Sequence, residues 1–370
     1  MPLFLYFCTL NTQRMFLLAI TISFIIQKII LAAIIIGGSL GIALYATWAE
    51  RKVSAVMQDR RGPTRAGPFG LLQPLADGVK MFMKEEIIPI FSNKFLFVLG
   101  PSLAMVVALM SSAVIPWGPD MKFADGTSFS LQIADINIGM LYVFGVVSLG
   151  VYGVMLGAWA SNNKFSLLSG LRAAAQAISY ELALGLSMIS LVMMTGSLSL
   201  NDIVSQQHGF WDGNWFSWNV FKQPLAFLIF LVCSFAELNR APFDLAECES
   251  ELIGGYHTEY SSLKLGFYLF AEYISMFITS VIISTLFFGG YNFPGMDAVA
   301  TMVPSPLFSI ICALVLLTKA IGFILFFMFI RWTIPRFRYD QLMNLGWKSL
   351  IPLALINMLI TGAVILYFNK

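Results

Sequence analysis

Eight apolar segments dominate this sequence and limit the folds that are open to it. They lie near residues 16–46, 96–115, 138–160, 174–195, 223–239, 266–288, 307–330 and 350–368. Each is long enough, or nearly so, to cross about 30 Å of hydrocarbon as a helix. With 58% hydrophobic and 11% charged residues, the composition excludes a water-soluble protein of this length. We therefore predict an all-α, polytopic membrane protein with about eight transmembrane helices in a single transmembrane domain, residues 1–370.

Positive charge is concentrated on one side of these predicted spans. The connections between spans 1–2, 3–4, 5–6 and 7–8 carry Arg51, Lys52, Arg60, Arg61, Arg65, Lys80, Lys84, Lys94, Lys164, Arg172, Arg240, Lys264, Arg331, Arg336, Arg338 and Lys348. The other side carries only Arg14, Lys122, Lys222 and Lys370. Because Lys and Arg are enriched in cytoplasmic loops, we predict that the richer side is cytoplasmic. The net charge of +2, with no basic stripe, gives no indication of nucleic-acid binding.

The segment 50–86 follows the first span and includes a polar stripe at helical spacing. From about Pro74, a helix would place Gln73, Asp77, Lys80 and Lys84 within a stripe about 60° wide. Its opposite face would carry Leu71, Leu75, Val79 and Phe82. This pattern predicts an amphipathic helix along the membrane surface. For the two lysines, simple membrane anchoring is an equal alternative, whereas Gln73 and Asp77 favour contact with a ligand or partner.

The connection 237–261, ELNRAPFDLAECESELIGGYHTEYS, concentrates acidic residues between two apolar segments. Its acids are Glu237, Asp244, Glu247, Glu249, Glu251 and Glu259. We predict a short helix that Pro242 opens and Gly254-Gly255 ends. On such a helix Asp244, Glu247 and Glu251 share a face, Glu249 points elsewhere, and Arg240 can pair with Asp244. The alternative is a solvated acidic loop.

Two further acids, Glu181 and Glu272, lie within predicted spans. Acids at membrane depth are costly and are usually functional, often in proton relays. Crowded carboxylates raise one another's proton affinity, and burial adds to this effect. An isolated acid could simply satisfy a packing contact, but two of them beside an acidic connection favour a polar path. We predict a coupled set that exchanges protons near neutral pH.

Several common site types are missing from the sequence. The four cysteines lack CxxC spacing, and His208 and His257 are the only histidines, so a bis-histidine haem site is not expected. No GxGxxG follows a strand and no Walker loop occurs. We therefore expect no metal site, and no flavin, nicotinamide or iron–sulfur cluster held by this chain. The N-terminus lacks a basic region and a cleavage site, so no signal peptide is expected.

Three motifs carry a family resemblance that covers nearly the whole chain. ERK at 50–52, GPFGLLQPLAD at 67–77 and the acidic sequence at 237–261 resemble the signatures of the NuoH family. This family is subunit 1 of NADH:quinone oxidoreductase, respiratory complex I. The resemblance implies a proton-translocating enzyme subunit that is not catalytic alone. It also implies quinone as the substrate, no covalently bound cofactor, and flavin and iron–sulfur clusters on partner subunits.

The resemblance further implies a quinone-access tunnel and the start of a proton path that couples quinone reduction to proton translocation. By position, the tunnel would be bordered by Glu50, Arg51, Gln73, Asp77, Arg240 and Phe243. The proton path would use Glu237, Asp244, Glu247, Glu249, Glu251, Glu259, Glu181 and Glu272. The implied partners are peripheral quinone-site subunits, neighbouring small membrane subunits and membrane lipid.

Two other functions compete with this interpretation. One is the equivalent membrane subunit of an energy-converting hydrogenase or of another donor-linked dehydrogenase; the intact motifs favour the quinone-linked form. The other is a stand-alone ion transporter, which would be expected to show an inverted repeat, and the sequence shows no obvious one. The expected location is a bacterial inner membrane, in preference to a mitochondrial one.

Overall fold

The computed structural model describes residues 2–122, 128–209, 217–247 and 249–368, with side chains from Phe24 onward except at 249 and 250. Its α-helices, in chain order, are α1 (Pro2–Met57), α2 (Gln73–Met83), α3 (Lys94–Met110), α4 (Gly139–Ala160), α5 (Lys164–Thr195), α6 (Leu200–Ser205), α7 (Asn219–Lys222), α8 (Pro224–Glu237), α9 (Glu249–Leu252), α10 (Ser262–Phe287), α11 (Met296–Met302), α12 (Ser305–Thr333), α13 (Tyr339–Asn344) and α14 (Ile351–Phe368). Short 3₁₀ turns occupy Pro68–Gly70, Ser111–Val114 and Gly255–His257, and a π-helical turn over Leu345–Leu350 joins α13 to α14. Two strands, β1 (Met121–Lys122) and β2 (Ser128–Phe129), pair antiparallel.

The predicted all-α, polytopic fold is confirmed. Within the described part of the chain, seven helices are long and apolar enough to cross a membrane: Phe24–Met57, Lys94–Val114, Gly139–Ala160, Lys164–Thr195, Ser262–Phe287, Ser305–Thr333 and Tyr339–Phe368. The shorter apolar helix α8 lies at the predicted fifth span. Helix α5 begins at Lys164, well before the span predicted near residue 174. Helix α14 is continued upstream by the π-helical turn and α13, so this continuous helix begins at Tyr339. Both differences arise because apolarity marks only the part of a helix that faces hydrocarbon.

Helix α10 lies at the centre of the bundle and packs against α1, α3 and α12. The packing of α3 on α4 is unusually close, because glycines face each other. A Cβ built on Gly157 would lie 1.9 Å from the Tyr268 hydroxyl, and one on Gly100 would lie 2.8 Å from the Gly157 Cα. Small residues of this kind let membrane helices approach each other closely. Tyr268 fills the resulting space and donates a hydrogen bond to the Gly153 carbonyl at 3.1 Å.

The predicted amphipathic helix is present as α2, which begins at Gln73. Leu75, Val79 and Phe82 are exposed on its outer face. Gln73 and Asp77 are half-buried on the side of α2 that contacts α1 and α10, whereas Lys80 and Lys84 are exposed. The helix is therefore amphipathic, as the sequence pattern indicates, and only the first half of its polar stripe faces the bundle.

The predicted helix in the acidic connection begins at a different residue. Helix α9 spans only Glu249–Leu252, and Asp244 and Glu247 lie before it, outside any helix. The prediction that Asp244, Glu247 and Glu251 share a helical face is therefore wrong.

A buried glutamine of α5 explains the early turns of this connection. Gln176 donates hydrogen bonds to the Ala236 carbonyl at 2.7 Å and to the Phe243 carbonyl at 2.8 Å. In a continuing helix, the Phe243 carbonyl would accept the amide of Glu247 instead. That amide donates to the Asp244 Oδ1 atom at 3.3 Å. The side chains of Gln176 and Asp244 thus replace helical hydrogen bonds and fold the connection against α5.

Candidate functional site

A buried carboxylate at the end of the first span forms the centre of the site. The side chain of Glu50 is only 7% exposed, and its Oε2 atom lies 2.9 Å from the Arg240 Nη1 atom. The Tyr273 hydroxyl donates to the same oxygen at 2.7 Å, and Arg331 pairs with the other oxygen. The Arg240 guanidinium also stacks 4.2 Å above the Tyr273 ring. Because a buried carboxylate needs both counter-charge and hydrogen bonds, these four side chains form one interdependent group.

This group lies at one wall of an open cleft of about 390 Å³ between α1, α2 and α10. The cleft is lined by Glu50, Arg51 and Asp77 together with Tyr273 and several apolar side chains. Across it, the Arg51 Nη1 atom pairs with the Asp77 Oδ2 atom at 2.7 Å. Gln73 donates to the Asp77 Oδ1 atom at 3.2 Å. Of the sequence-predicted tunnel residues in segment 50–86, Glu50, Arg51 and Asp77 therefore line the cleft, whereas Gln73 reaches it only through its hydrogen bond to Asp77.

Phe243, in contrast, does not line this cleft. It is buried, with its ring centroid 5.5 Å from that of Tyr180 and 5.4 Å from that of Phe337. Its backbone amide donates to the Arg240 carbonyl at 2.8 Å. In this arrangement Phe243 anchors the connection that carries Arg240.

A second, internal cavity of about 110 Å³ lies among α3, α4, α5 and α10. Glu237, Glu272 and Tyr256 line it. The Tyr256 hydroxyl donates to the Glu272 Oε1 atom at 3.0 Å. Burial, and then the nearby Glu272 and Glu247 carboxylates, raise the pKa of Tyr256 well above its usual range, so this hydroxyl remains a donor. Most of its lining is apolar, but these polar groups face a space that is large enough for water between the two carboxylates.

The intramembrane acid Glu181 extends this group within α5. Its charge interacts with that of Glu237, and the Ser148 hydroxyl of α4 donates to its Oε1 atom. Because Glu181, Glu237 and Glu272 come from three different helices, the packing of the bundle is what brings these carboxylates together.

Asp244 connects the acidic connection to this interior. Its side chain is 2% exposed, and its Oδ2 atom lies 3.0 Å from the Arg336 Nη2 atom. The predicted pair between Arg240 and Asp244 is therefore wrong: Arg240 pairs with Glu50 instead, because the connection turns after Arg240 and does not continue as a helix. Burial, and then the Glu247 carboxylate, raise the pKa of Asp244 to about 7.

The raised pKa of Asp244 predicts a visible titration near neutral pH. Asp244 should be largely protonated at pH 6 and largely ionised at pH 8, whereas an ordinary aspartate is ionised at both. In infrared difference spectra between these pH values, the carboxylic-acid band should lose intensity in Asp244→Asn relative to the unsubstituted protein. Asp340→Asn, at an exposed position, is the matched control and should leave the difference spectrum unchanged. Identical spectra for Asp244→Asn and the unsubstituted protein would contradict the assignment.

The remaining acids of the connection lie further from this interior chain of carboxylates. Glu251 is 52% exposed and pairs with Arg172 at 2.6 Å. Glu259 accepts a hydrogen bond from the Asn163 Nδ2 atom at 2.7 Å. The side chain of Glu249 lies outside the described residues. We define the acid chain as Asp244, Glu247, Glu272, Glu237 and Glu181.

Arg240 links the cleft to the acid chain. It contacts Glu50 directly, and its charge also interacts with that of Glu272. Glu272 in turn interacts with Glu247, which interacts with Asp244. A change of charge in the cleft can therefore affect the buried acids through one guanidinium group, because electrostatic interactions are strong in a dry interior.

Sequence reasoning missed four side chains that complete these groups: Tyr256, Tyr273, Arg331 and Arg336. Tyr273 directly follows Glu272, and the two arginines follow the seventh apolar segment, where positive charge indicates only membrane orientation. No local pattern indicates that these residues meet Glu50, Glu272 and Asp244, because the contacts join residues far apart in the chain.

The sequence as a whole matches a known family. Residues 14–362 match the family described as NADH dehydrogenase. This match covers nearly all of the chain, including both the cleft and the acid chain.

Individual relatives are similar over almost their full lengths. The H subunit of the NADH-quinone oxidoreductase of Flavobacterium johnsoniae is 62% identical over 344 residues, which cover 93% of this chain and 96% of the relative. The H subunit numbered 1 of the NADH-quinone oxidoreductase of Cytophaga hutchinsonii is 60% identical, with 94% and 99% covered. The NADH-quinone oxidoreductase subunit 8 of Rhodothermus marinus is 44% identical, with 92% and 97% covered.

Proposed function

Because the chain belongs to the NuoH family, the H subunits of NADH-quinone oxidoreductases, we propose that it couples quinone reduction to proton translocation. The family resemblance inferred from the three sequence motifs is thereby confirmed. The chain is a multi-pass membrane protein, and its role is that of a membrane subunit of complex I. In this role, other subunits hold the flavin and the iron–sulfur clusters, and quinone is the substrate.

The proposed quinone path is the cleft between α1, α2 and α10. Its walls combine apolar side chains such as Leu44, Leu269 and Phe270 with the charged Glu50 and Arg51. Apolar walls suit an isoprenoid tail, and a few placed polar groups suit a headgroup that moves past them. The outer face of α2, which forms one wall of the cleft, is apolar and exposed, and such a face would let a tail approach from the lipid.

The proposed coupling operates through Arg240. Two-electron reduction of a quinone to a quinol adds two negative charges that two protons then neutralise, so the charge on the quinone or on the groups that donate these protons changes during turnover. Arg240 pairs with Glu50 and its charge interacts with that of Glu272, so a shift in its pairing changes the field at the acid chain. Coupled carboxylates then redistribute their protons as a set. One buried arginine thus forms an ion pair with Glu50 and interacts electrostatically with Glu272, and this is the observation that most strongly supports the proposal.

The proposed proton path follows the acid chain from the connection into the membrane. It begins at Asp244, whose pKa of about 7 allows proton exchange near neutral pH. It continues through Glu247 and Glu272 to the internal cavity, then to Glu237 and Glu181. The exposed Glu251 and the peripheral Glu259 lie at its cytoplasmic side and would collect protons for it. Relays of acids facing a bundle interior are a common way to carry protons through membranes.

The proposed location is a bacterial inner membrane, since the similar proteins are bacterial. The proposed neighbours are the peripheral subunits that complete the quinone site and the small membrane subunits beside the bundle. Gentle solubilisation from native membranes tests the partner assignment. Copurification with flavin and iron–sulfur subunits supports it, whereas a hydrogenase partner, or a chain that purifies alone and transports ions, would contradict it.

The substitution Arg51→Ala tests the quinone path. Loss of the Arg51–Asp77 pair changes the polar wall of the cleft, so quinone-linked NADH oxidation should fall several-fold. Electron transfer from NADH to a soluble artificial acceptor should persist, because that reaction does not use the membrane cleft. Both rates are measured per assembled complex.

Lys52→Ala is the matched control for Arg51→Ala. Lys52 is adjacent in sequence, and its ammonium lies 5.9 Å from the Trp48 ring and outside the cleft lining. It should leave both rates nearly unchanged. Equal loss of both activities in Arg51→Ala, with normal assembly, would argue against a quinone path at this cleft.

A further inference from the structure

A serine hydroxyl at the start of α10 contacts the C-terminal end of α2. The Ser262 Oγ atom lies 3.0 Å from the Met81 carbonyl oxygen and 2.9 Å from that of Lys84. Helix α2 ends at Met83, and the last carbonyls of a helix have no partner within it. Ser262 therefore supplies, from another helix, a donor that the end of α2 lacks.

The backbone of Ser262 supports a specific role for its side chain. Its φ angle is +55°, in the left-handed region that favours glycine. A non-glycine residue in this region costs about 1 kcal/mol or more. A glycine at this position would avoid this backbone cost but would lose the hydroxyl contacts with α2.

Two further contacts strengthen the same junction. The Lys264 Nζ atom lies 2.9 Å from the Glu86 Oε1 atom, and the lysine side chain is only 9% exposed. The Ile87 amide donates to the Ser261 Oγ atom at 3.0 Å. We call the contacts of Ser261, Ser262 and Lys264 with residues 81–87 the latch.

The latch joins two walls of the cleft. Helix α2 contributes Pro74, Asp77, Gly78 and Met81 to the lining, and α10 contributes Gly266, Leu269, Phe270 and Tyr273. On its other side α2 is held to α1 by the Arg51–Asp77 pair. Its outer face is apolar and exposed, and the described side chains place nothing over it. The position of α2 relative to α10 therefore depends on the latch.

We propose that the latch sets the width of the cleft mouth and thereby positions the apolar tail of a long-chain quinone. Ser262 and Lys264 are positioning residues, since they act through α2 and do not line the cleft. The proposal rests on the proposed function, because it assumes that the cleft is the quinone path. A loosened latch should weaken the fit of a long tail that fills the mouth, while a short-tailed quinone should be little affected.

The test uses Ser262→Ala and Ser262→Gly in the assembled complex. Both remove the hydroxyl, but only the glycine relieves the left-handed backbone, so a hydroxyl effect should appear in both. The KM for a long-tailed quinone should rise about fivefold, as expected for the loss of about one hydrogen bond, with kcat nearly unchanged. The KM for a short-tailed quinone should change little. Hydrogen exchange of amides in residues 79–87 should become faster.

Ser92→Ala is the matched control, because the Ser92 hydroxyl donates to the nearby Pro89 carbonyl and not to α10. It should change neither the exchange nor the KM ratio between long and short quinones. Three results would each overturn the proposal. They are unchanged hydrogen exchange in both Ser262 variants, faster exchange without a change in the KM ratio, and an effect in Ser262→Ala alone. Failure of the proposed function can be told apart from failure of this proposal. In the first case the unsubstituted complex would lack quinone-linked activity, while hydrogen exchange of residues 79–87 would still report whether the latch holds α2.

Discussion

We expect Glu50→Gln to lower quinone-linked NADH oxidation at least about tenfold per assembled complex. The substitution leaves Arg240 and Arg331 near each other without their shared counter-charge. Removing one partner from a buried ion pair typically costs about 3–5 kcal/mol, and about 1.4 kcal/mol of lost transition-state stabilisation corresponds to a tenfold slower rate. The measurement is quinone-linked NADH oxidation normalised to NADH oxidation with an artificial acceptor.

The same substitution should also lower the amount of assembled complex, which the normalisation takes into account. Asp59→Asn, an exposed acid in the same segment, is the control and should leave the normalised rate near that of the unsubstituted protein. A normal rate in assembled Glu50→Gln complexes would show that this buried group holds the fold together without serving the quinone path.

The second large effect is expected for Glu272→Gln. Glutamine keeps the size of the side chain and can still accept the Tyr256 hydrogen bond. It removes the titratable site between Glu247 and the internal cavity, so the acid chain is interrupted. Quinone reduction and proton pumping should fall together, each about tenfold or more, because a coupled enzyme stalls when its proton step stalls. Both are measured on assembled complex in sealed vesicles.

Glu251→Gln is the matched control for this second prediction. It removes a carboxylate from the same acidic connection, but one that is exposed and paired with Arg172. Exposed pairs of this kind contribute little to stability, and we expect a much smaller effect on turnover. Equal effects of the two substitutions would contradict the distinction between the interior acid chain and the surface acids. Normal turnover in Glu272→Gln would remove Glu272 from the path.

Much of the fold could be predicted from sequence because its signals are local. Apolar segments of spanning length predicted the long helices, and a polar stripe at helical spacing predicted α2. The starts of α5 and of the continuous helix Tyr339–Phe368 were missed because polar residues continue a helix beyond the hydrocarbon. The turns before α9 were missed because Gln176, on a different helix, competes for the Phe243 carbonyl.

The site could be predicted as a set of residues but not as an arrangement. Glu50 was singled out by its motif, yet its partners Arg240 and Arg331 lie 190 and 281 residues away in the chain. A near neighbour, Asp244, was the expected partner of Arg240, and that expectation assumed a helix that does not form. Long-range ion pairs depend on how helices pack, which single-sequence patterns do not encode. The link from the cleft to the acid chain through Arg240 became visible only in the folded chain.

The central claim is that quinone reduction changes the protonation of the acid chain. The most direct measurement is the infrared difference spectrum of the assembled complex before and after quinone reduction by NADH. The account predicts a carboxylic-acid band that changes on reduction and is lost in Glu272→Gln, while Glu251→Gln retains it. A spectrum that is identical in the unsubstituted protein and in Glu272→Gln would contradict the account.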